Sequence, residues 1–500
     1  MILAQLSNFE GPSIDWLPLT PQIILVVAAL VILLVTSLSP AKVSDSFSTA
    51  VTVGSGVAAG VVAWFVWNDI RDEGPSSTVA GAVGVDGFSI FFTILTLSAL
   101  VATSLVGHSY IKREQMAAPE FSALLLLTAV GAIVMASAND LIVLFIGLEA
   151  LSIGLYVMAA MQFRRREAQE AAMKYFVLGA FSSAFFLYGI ALVYGATGST
   201  NLVNIAAYFN TIGSRINNLE LFYVGMALML VGLAFKVAAA PFHFWAPDVY
   251  QGSPSPVSGY MASAAKAAGF AAMLRIFFVA FSRTSADWTP IVAVLSAITL
   301  IVGAVMAITQ NDVKRMLAFS SVGHAGYVLV AVQAATSDGT SAALFYLFTY
   351  TFMVIGSFAV VSLLGWNDGH DVSRYEGLAR RRPLIAVAFT VFLLGQAGVP
   401  FTSGFVGKFL VIRSAVDDEI YWLAVLAMVV SVITAFMYLR IISNMWDREV
   451  DVADAPRLSV PLTTGFVVVV CAMITVVYGV IPQSLIEFAR DAVPVLVAGG

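Results

Sequence analysis

Long apolar stretches alternate with short polar ones along almost the whole chain. Two of the clearest, Ile23–Leu34 and Leu124–Ala136, contain no charged residue. A helix of about 20 apolar residues spans the hydrocarbon core of a bilayer. The pattern therefore predicts an all-α integral membrane protein with about fourteen transmembrane helices, at roughly 21–39, 47–67, 87–106, 120–137, 141–161, 171–196, 220–245, 257–282, 288–308, 315–333, 341–364, 385–414, 420–443 and 460–482.

The composition excludes several classes of protein. Hydrophobic residues make up 60% of the chain and charged residues only 11%, and the mean hydropathy is +0.91. A large soluble core is excluded because too little polar surface remains to cover it. The single cysteine, Cys471, excludes an intramolecular disulfide and a thiolate metal cluster. The sequence has neither a nucleotide-binding glycine motif nor a cysteine–histidine set for iron–sulfur or haem, so we expect no cofactor in this chain.

Lysine and arginine are distributed unevenly between the two sides of the predicted membrane. One set of loops carries fourteen and the other set four. Because positively charged loops stay in the cytoplasm, the richer side is predicted to be cytoplasmic and, with an even number of spans, both termini face outward. The fourteen are Lys42, Lys112, Arg113, Arg164, Arg165, Arg166, Lys314, Arg315, Arg374, Arg380, Arg381, Arg382, Arg448 and Arg457, and the four are Arg71, Arg215, Arg283 and Arg490.

Two spans carry a proline near mid-membrane, Pro241 in span seven and Pro400 in span twelve. A proline inside a helix frees the carbonyl four residues earlier, here those of Val237 and Gln396. In lipid such a break persists only where protein or water satisfies the freed groups.

The two breaks are five spans apart, which indicates an internal repeat. A unit of five spans enters the membrane in opposite directions at its two occurrences, as in transporters built from inverted repeats. We expect the repeats at 120–282 (spans four to eight) and 288–443 (spans nine to thirteen). Residues 1–119 then hold the first three helices, and residues 444–500 hold the last helix and the tail.

A few charged residues fall deep inside predicted spans. Glu149 is the one acid placed at mid-bilayer depth, and Lys236, Lys266 and Lys408 lie in spans seven, eight and twelve. Each such charge costs about 2.5–3.5 kcal/mol, so it usually faces a protein interior or a wet cavity. Extension of the side chain to the headgroups is the simpler explanation for Lys174 and Arg440, which lie near span ends.

These groups suggest a proton path. Glu149 and Lys236 are natural opposed charges, since a buried lysine changes protonation state when a carboxylate approaches or leaves. Lys266, His324 and Lys408 could continue the relay, because each can hold and release a proton. Arg275 and Arg413 stay open, since either side chain could reach the outer interface.

Two motifs carry a resemblance to a known family. The first runs from Lys236-Val-Ala-Ala-Ala-Pro-Phe-His243 through Asp248-Val-Tyr-Gln-Gly252 to Ala264-Ala-Lys266, and the second is Gly398-Val-Pro-Phe-Thr-Ser-Gly404-Phe-Val-Gly-Lys408. The chain resembles the antiporter-like proton-translocating subunits of respiratory complex I over essentially its whole length. Within that family the Asp248–Gly252 loop and the lysines at 266 and 408 are most similar to the subunit N branch.

The resemblance implies a specific role. Spans four to eight and nine to thirteen would be inverted repeats, Glu149 and Lys236 would pair, and Lys266, His324 and Lys408 would line a hydrated axis. The chain would be a non-redox subunit of a proton-translocating NADH–quinone oxidoreductase in a bacterial plasma membrane. NADH, FMN, iron–sulfur clusters and quinone would bind to partner subunits. Those partners would include a neighbouring antiporter-like subunit and small membrane subunits, and no nucleic acid.

Three alternatives remain at this stage. A subunit of a multi-subunit cation/proton antiporter or of a membrane-bound hydrogenase would share the fold, and the Asp248–Gly252 loop is the main discriminator. A stand-alone solute transporter would need mixed polar groups at the two breaks, where the sequence offers chiefly Gly, Ala and Phe. An inert scaffold would leave the buried lysines unexplained.

Overall fold

The computed structural model describes residues 14–39, 44–211, 219–364, 370–447 and 459–497. Four of the loop charges used to orient the chain, Lys42, Arg215, Arg448 and Arg457, lie outside the described residues.

The predicted spans are present as helices with closely similar bounds. They are Thr20–Leu38, Asp45–Glu73, Gly87–Glu114, Ala118–Ser137, Leu141–Ala159, Arg166–Thr197, Leu219–Lys236 with Trp245–Gly252, Ser255–Ala280, Ser285–Ile308, Val313–Gln333, Ser337–Leu364, Pro383–Ala397 with Ser403–Asp417, Tyr421–Trp446 and Leu462–Val480. Among the described residues, thirteen helices are long and apolar enough to cross a membrane. The remaining span, the twelfth, consists of two shorter helices, so the prediction of an all-α integral membrane protein is confirmed.

The structure adds elements that the apolar pattern did not predict. A hairpin of β1 (Ser76–Thr78) and β2 (Val83–Val85) connects spans two and three. Its turn is held by side-chain amides of Asn139 and Asn201, which both donate to the Gly81 carbonyl. Two further helices, Leu202–Thr211 and Gln483–Asp491, are too short to span.

Both predicted helix breaks are present, and each is an unwound segment rather than a kink. The first half of span seven ends at Lys236, five residues before Pro241, and the helix resumes at Trp245. In span twelve the first half ends at Ala397, and Gly398 adopts a φ of 85° that favours glycine. Because the helices end before the prolines, the carbonyls that side chains bind are those of Phe235 and Ala397, not Val237 and Gln396.

Spans eight, ten and eleven form the centre of the molecule. Their residues are almost entirely buried, whereas spans one, two, six and fourteen expose most of theirs. Exposed apolar side chains such as Leu30, Trp64 and Phe181 cover that outer surface, as expected for a face against lipid acyl chains. Span eight contains two π-helical stretches, Met261–Ala265 and Leu274–Ala280. Such irregularities occur often at functional sites.

Candidate functional site: a buried row of basic side chains

Four basic side chains are enclosed by the central helices. Lys236, Lys266, His324 and Lys408 are 7%, 3%, 4% and 5% exposed, respectively. All four were predicted from the sequence to lie inside the protein rather than at a headgroup. Their burial excludes extension to the membrane surface, so each must be stabilised by local partners.

Lys236 closes the first half of span seven and contacts span five. Its amine donates a hydrogen bond of 2.7 Å to the hydroxyl of Ser152. Glu149, one turn earlier in span five, interacts with Lys236 electrostatically but forms no ion pair with it among the described residues. The half-buried Glu149 carboxylate has one enclosed oxygen for which the described part of the chain offers no hydrogen-bond partner. Among the described residues the Lys236 amine therefore binds a serine, and not the carboxylate that was expected to pair with it.

Lys266 projects from span eight to span ten. Its amine donates to both the carbonyl and the hydroxyl oxygen of Ser321, each at 2.5 Å. The hydroxyls of Tyr250 and Tyr350 lie close to Ser321 without meeting hydrogen-bond geometry. The Lys266 amine is thus bound by neutral oxygens, and two tyrosine hydroxyls lie close to its partner Ser321.

His324 lies one turn beyond Ser321 in span ten, between two tyrosines. Its Nδ1 pairs with the Tyr346 hydroxyl at 2.7 Å and its Nε2 with the Tyr438 hydroxyl at 3.1 Å. The Tyr438 hydroxyl also makes a short hydrogen bond with the hydroxyl of Ser320. Both ring nitrogens are engaged by groups that can donate or accept, so either tautomer can be accommodated.

Lys408 lies in the second half of span twelve and reaches back to the first half. Its amine donates to the carbonyl of Ala397 at 2.8 Å and to the hydroxyl of Ser431 at 2.9 Å. The amine also lies 4.8 Å from the ring centroid of Tyr327, a distance typical of a cation–π contact. The lysine therefore satisfies a carbonyl that the helix break leaves free.

These groups form one continuous row. Along span ten, His324 lies between Ser321, which binds Lys266, and Tyr327, which lies against Lys408, and it interacts electrostatically with both amines. Gly269, one turn from Lys266 in span eight, packs against the side chain of Lys236, since a Cβ there would lie 3.3 Å from the lysine Cγ. The structure thus brings the predicted lysines and histidine together, with Glu149 at the Lys236 end.

The structure also shows the contacts of three other charged residues, Arg275, Arg413 and Lys174. Arg275 is fully buried and forms a two-pronged ion pair with Asp86, at 2.6 and 2.7 Å. It does not reach an interface, because Asp86 caps the start of span three beside it. Arg413 is exposed and pairs with Asp417 one turn away. Lys174 is partly exposed and pairs with Glu170 and Asp248, as a side chain near a membrane surface does.

Sequence reasoning missed several members of the site. Ser152, Ser321 and Ser431 bind the three lysines, and Tyr346 and Tyr438 bind the histidine. Helical spacing offered a signal for two of them, since Ser152 follows Glu149 by one turn and Ser321 precedes His324 by one turn. The tyrosines and Ser431 come from other spans, so no local pattern marks them.

Sequence comparison with known proteins identifies the family of this chain. Residues 138–434 match the family described as NADH:quinone oxidoreductase/Mrp antiporter, transmembrane. NADH-quinone oxidoreductase subunit N of Trichlorobacter lovleyi is 41% identical over 95% of this chain and 96% of its own length. The same subunit of a Parafrankia species is 41% identical over 98% of both chains.

Solved structures are similar to this chain over nearly its whole length. A chain of respiratory complex I from Thermus thermophilus superimposes with a TM-score of 0.78 at 34% identity, covering 96% of this chain and 100% of its own. A chain of the Mrp complex from a Dietzia species reaches a TM-score of 0.81 over 96% of both chains, but at 21% identity it shows the shared fold alone. The chain therefore belongs to the subunit N family of NADH-quinone oxidoreductase, the antiporter-like proton-translocating membrane subunits of respiratory complex I.

Proposed function

We propose that protons move through this subunit along the row Lys236, Lys266, His324 and Lys408, with Glu149 as the acid that sets the charge state at the Lys236 end. The observation that carries this proposal is the set of partners. Three fully enclosed amines are held by serine hydroxyls and backbone carbonyls instead of carboxylates. An amine bound to neutral oxygens can give up its proton without leaving an unpaired carboxylate behind.

The hydroxyl groups of the row support the same conclusion. Serine and tyrosine hydroxyls both donate and accept hydrogen bonds, so they can pass a proton between neighbours. Tyr346 and Tyr438 bracket His324, and Tyr327 lies against Lys408. A row of this kind connects spans seven, eight, ten and twelve through the centre of the protein.

Glu149 can control the release of the proton from Lys236. Its carboxylate is near enough to act on Lys236, and the Lys236 amine binds Ser152, which lies one turn from Glu149 in the same helix. A shift of either helix that brings carboxylate and amine together would hold the proton on Lys236, and separation would release it toward Lys266. Electrostatic coupling of this kind is how a conformational change elsewhere in the complex can drive transfer.

The redox chemistry belongs to other subunits in this proposal. This chain carries out no electron transfer, and NADH, FMN, the iron–sulfur clusters and quinone bind to partners. The partners include a neighbouring antiporter-like subunit and small membrane subunits. Support comes from the relatives, which are named as subunits of an oxidoreductase, and from a row built solely of proton-exchanging groups.

We place the protein in a bacterial plasma membrane, with both termini outside and residues 120–282 and 288–443 as the inverted repeats. The loop charges Lys112, Arg164 and Arg374 lie at span ends on one side, which we call the basic face. That face is the cytoplasmic one by the distribution of basic residues. The two breaks, separated by five spans, support the repeat.

The proposal is tested with Glu149→Gln and Lys236→Ala in the assembled complex. Both variants are expected to lower proton pumping and the coupled quinone reductase activity by roughly tenfold or more. Assembly is checked first, because removing one of two interacting buried charges also destabilises a protein. Full assembly with normal pumping in both variants would refute the role given to the Glu149 end of the row.

A further inference from the structure

A fourth lysine is buried at the edge of the row. Lys314 begins span ten and, from sequence, counts as a loop charge. In the structure it is 2% exposed, and its amine donates a short hydrogen bond to the carbonyl of Ser253. Ser253 lies between the second half of span seven and the start of span eight. Lys314 thus faces inward, toward the junction of the two predicted repeats.

Lys314 and Lys266 are connected by the geometry of span ten. Ser321, which holds the Lys266 amine, follows Lys314 by seven residues. Seven residues are two helical turns, so the two side chains share one face and start about 10 Å apart along the axis. The same face of span ten therefore leads from Lys314 to the partner of Lys266.

Two polar side chains close to the partners of these lysines have unused hydrogen-bonding capacity. The hydroxyls of Ser253 and Tyr250 are completely enclosed and have no hydrogen-bond partner among the described residues. The Tyr250 hydroxyl lies close to Ser321, the partner of Lys266. Enclosed polar atoms of this kind are where buried water binds and where a proton can be handed on.

Lys314 lies beside an open cleft of the basic face, since its sequence neighbours Asp312 and Arg315 line that cleft. This cleft is lined by Arg165, Gly252, Asp312, Arg315 and His370, among others. The His370 imidazole is buried, and its Nδ1 has no hydrogen-bond partner within the described chain. Burial, together with the charges of Lys314, Arg165 and Arg113, lowers the pKa of His370 to about 2. The ring is therefore neutral at ordinary pH.

The charges facing Lys314 come from three elements. Asp312, at the start of span ten, and Glu114, at the end of span three, are the acids that act on its amine, and Arg165, before span six, is a cation that acts on it. The neutral His370 also interacts with Lys314. No carboxylate of the described residues forms an ion pair with Lys314, so its amine, like those of the row, is held by a neutral oxygen.

We propose that Lys314 loads protons from the basic-face cleft into the row, passing them by way of Ser253, Tyr250 and Ser321 to Lys266. In each cycle the Lys314 ammonium releases one proton inward and regains one from the cleft beside His370. The route reaches Lys266 at the junction of the repeats without passing through Lys236. This inference rests on the proposed relay.

The competing explanation is that Lys314 is a fixed cation that only clamps the Ser253 carbonyl. Lys314→Arg distinguishes a fixed clamp from a proton relay, because arginine keeps the charge and the donor but does not deprotonate in proteins. We expect Lys314→Arg and Lys314→Met, purified as intact complex, each to lower NADH-driven quinone reduction and proton uptake in proteoliposomes at least fivefold. Lys112→Met, at an exposed lysine of the same face, should change neither.

Normal turnover of Lys314→Arg would overturn the proposal, whatever Lys314→Met does, because a clamp survives that substitution and a relay does not. If Lys314→Met fails to assemble, Lys314→Arg alone decides. Lys266→Met is measured in parallel. Loss of turnover in Lys266→Met with normal turnover in Lys314→Arg would refute this uptake route and leave the relay standing, whereas normal turnover in both would refute the relay itself.

Discussion

The amine of Lys408 donates a 2.8 Å hydrogen bond to the carbonyl oxygen of Ala397. Lys408 belongs to the second half of span twelve, and Ala397 is the last residue of the first half. A buried lysine thus occupies the place of the backbone N–H that the helix break removes. The charge and the break stabilise each other, because in lipid neither the free carbonyl nor the amine would persist alone.

Ser431→Ala is expected to weaken this arrangement selectively. The serine hydroxyl accepts from Lys408 and also lies 3.2 Å from the Ala397 carbonyl. Loss of a hydrogen bond to a charged group costs about 1.5–3 kcal/mol, so coupled turnover should fall roughly tenfold or more while the complex still assembles. Ser431→Thr, which keeps the hydroxyl, is the matched control. Equal turnover in Ser431→Ala and wild type would show that Lys408 does not depend on this contact.

The contact between Lys236 and Ser152 makes a second prediction. Ser152→Ala removes the hydroxyl that binds the Lys236 amine, so the amine is expected to move toward the Glu149 carboxylate and form a tighter pair. Proton release toward Lys266 should then slow, and steady-state proton uptake should drop severalfold, by roughly the effect of one hydrogen bond to a charged group. Ser152→Ala combined with Glu149→Gln should not be slower than Glu149→Gln alone. Additive losses in the double variant would argue against a shared mechanism.

His324 offers a comparison between two neighbouring tyrosines. The Tyr346 hydroxyl binds Nδ1 of His324, whereas the Tyr350 ring lies 4.5 Å from the imidazole centroid and its hydroxyl has no hydrogen-bond partner in the part of the chain that the structure describes. Tyr346→Phe should therefore reduce proton uptake by about fivefold, the effect of one hydrogen bond, and Tyr350→Phe should leave it nearly unchanged. If the two substitutions reduced uptake equally, the imidazole would not be using the Tyr346 hydroxyl as its proton partner.

The buried pair Asp86 and Arg275 makes a prediction about stability. Both side chains are 1% exposed, and Arg275 also donates to the Ala136 carbonyl. Asp86→Asn leaves an uncompensated buried cation and should cost about 3–5 kcal/mol, seen as reduced assembly and a lower melting temperature of the purified complex. The exposed pair Arg413 and Asp417 is the control, since Asp417→Asn should cost at most about 1 kcal/mol. Similar melting temperatures for the two variants would contradict this difference.

Much of the fold could be predicted because lipid imposes a simple rule on sequence. Apolar length sets where a helix crosses, so the span bounds agree with the structure to within a few residues at most positions. Proline placed the two breaks in the correct spans. It did not place the helix ends, since Lys236 and Ala397 end their helices before the prolines, where side chains of distant residues supply the missing hydrogen bonds.

The site residues could be predicted only where the position of a charged residue along a span showed that its burial costs free energy. Lys236, Lys266 and Lys408 were recognisable because a charge deep in a span needs a reason to be there. Lys314 and Arg275 lie near span ends, where a charge is cheap, and only long-range contacts with Ser253 and Asp86 reveal that both are buried. The position of a residue along a helix can be read from the local sequence. The part of the protein that its side chain faces and the residue that it contacts cannot.

The central claim is that the enclosed amines carry protons rather than merely stabilise the helices. Its most direct test is Lys266→Met in purified complex reconstituted into proteoliposomes, with NADH-driven proton uptake followed by a pH-sensitive dye. We expect intact assembly and a loss of uptake of roughly tenfold or more, with Lys112→Met indistinguishable from wild type. Full proton uptake by an assembled Lys266→Met complex would contradict it.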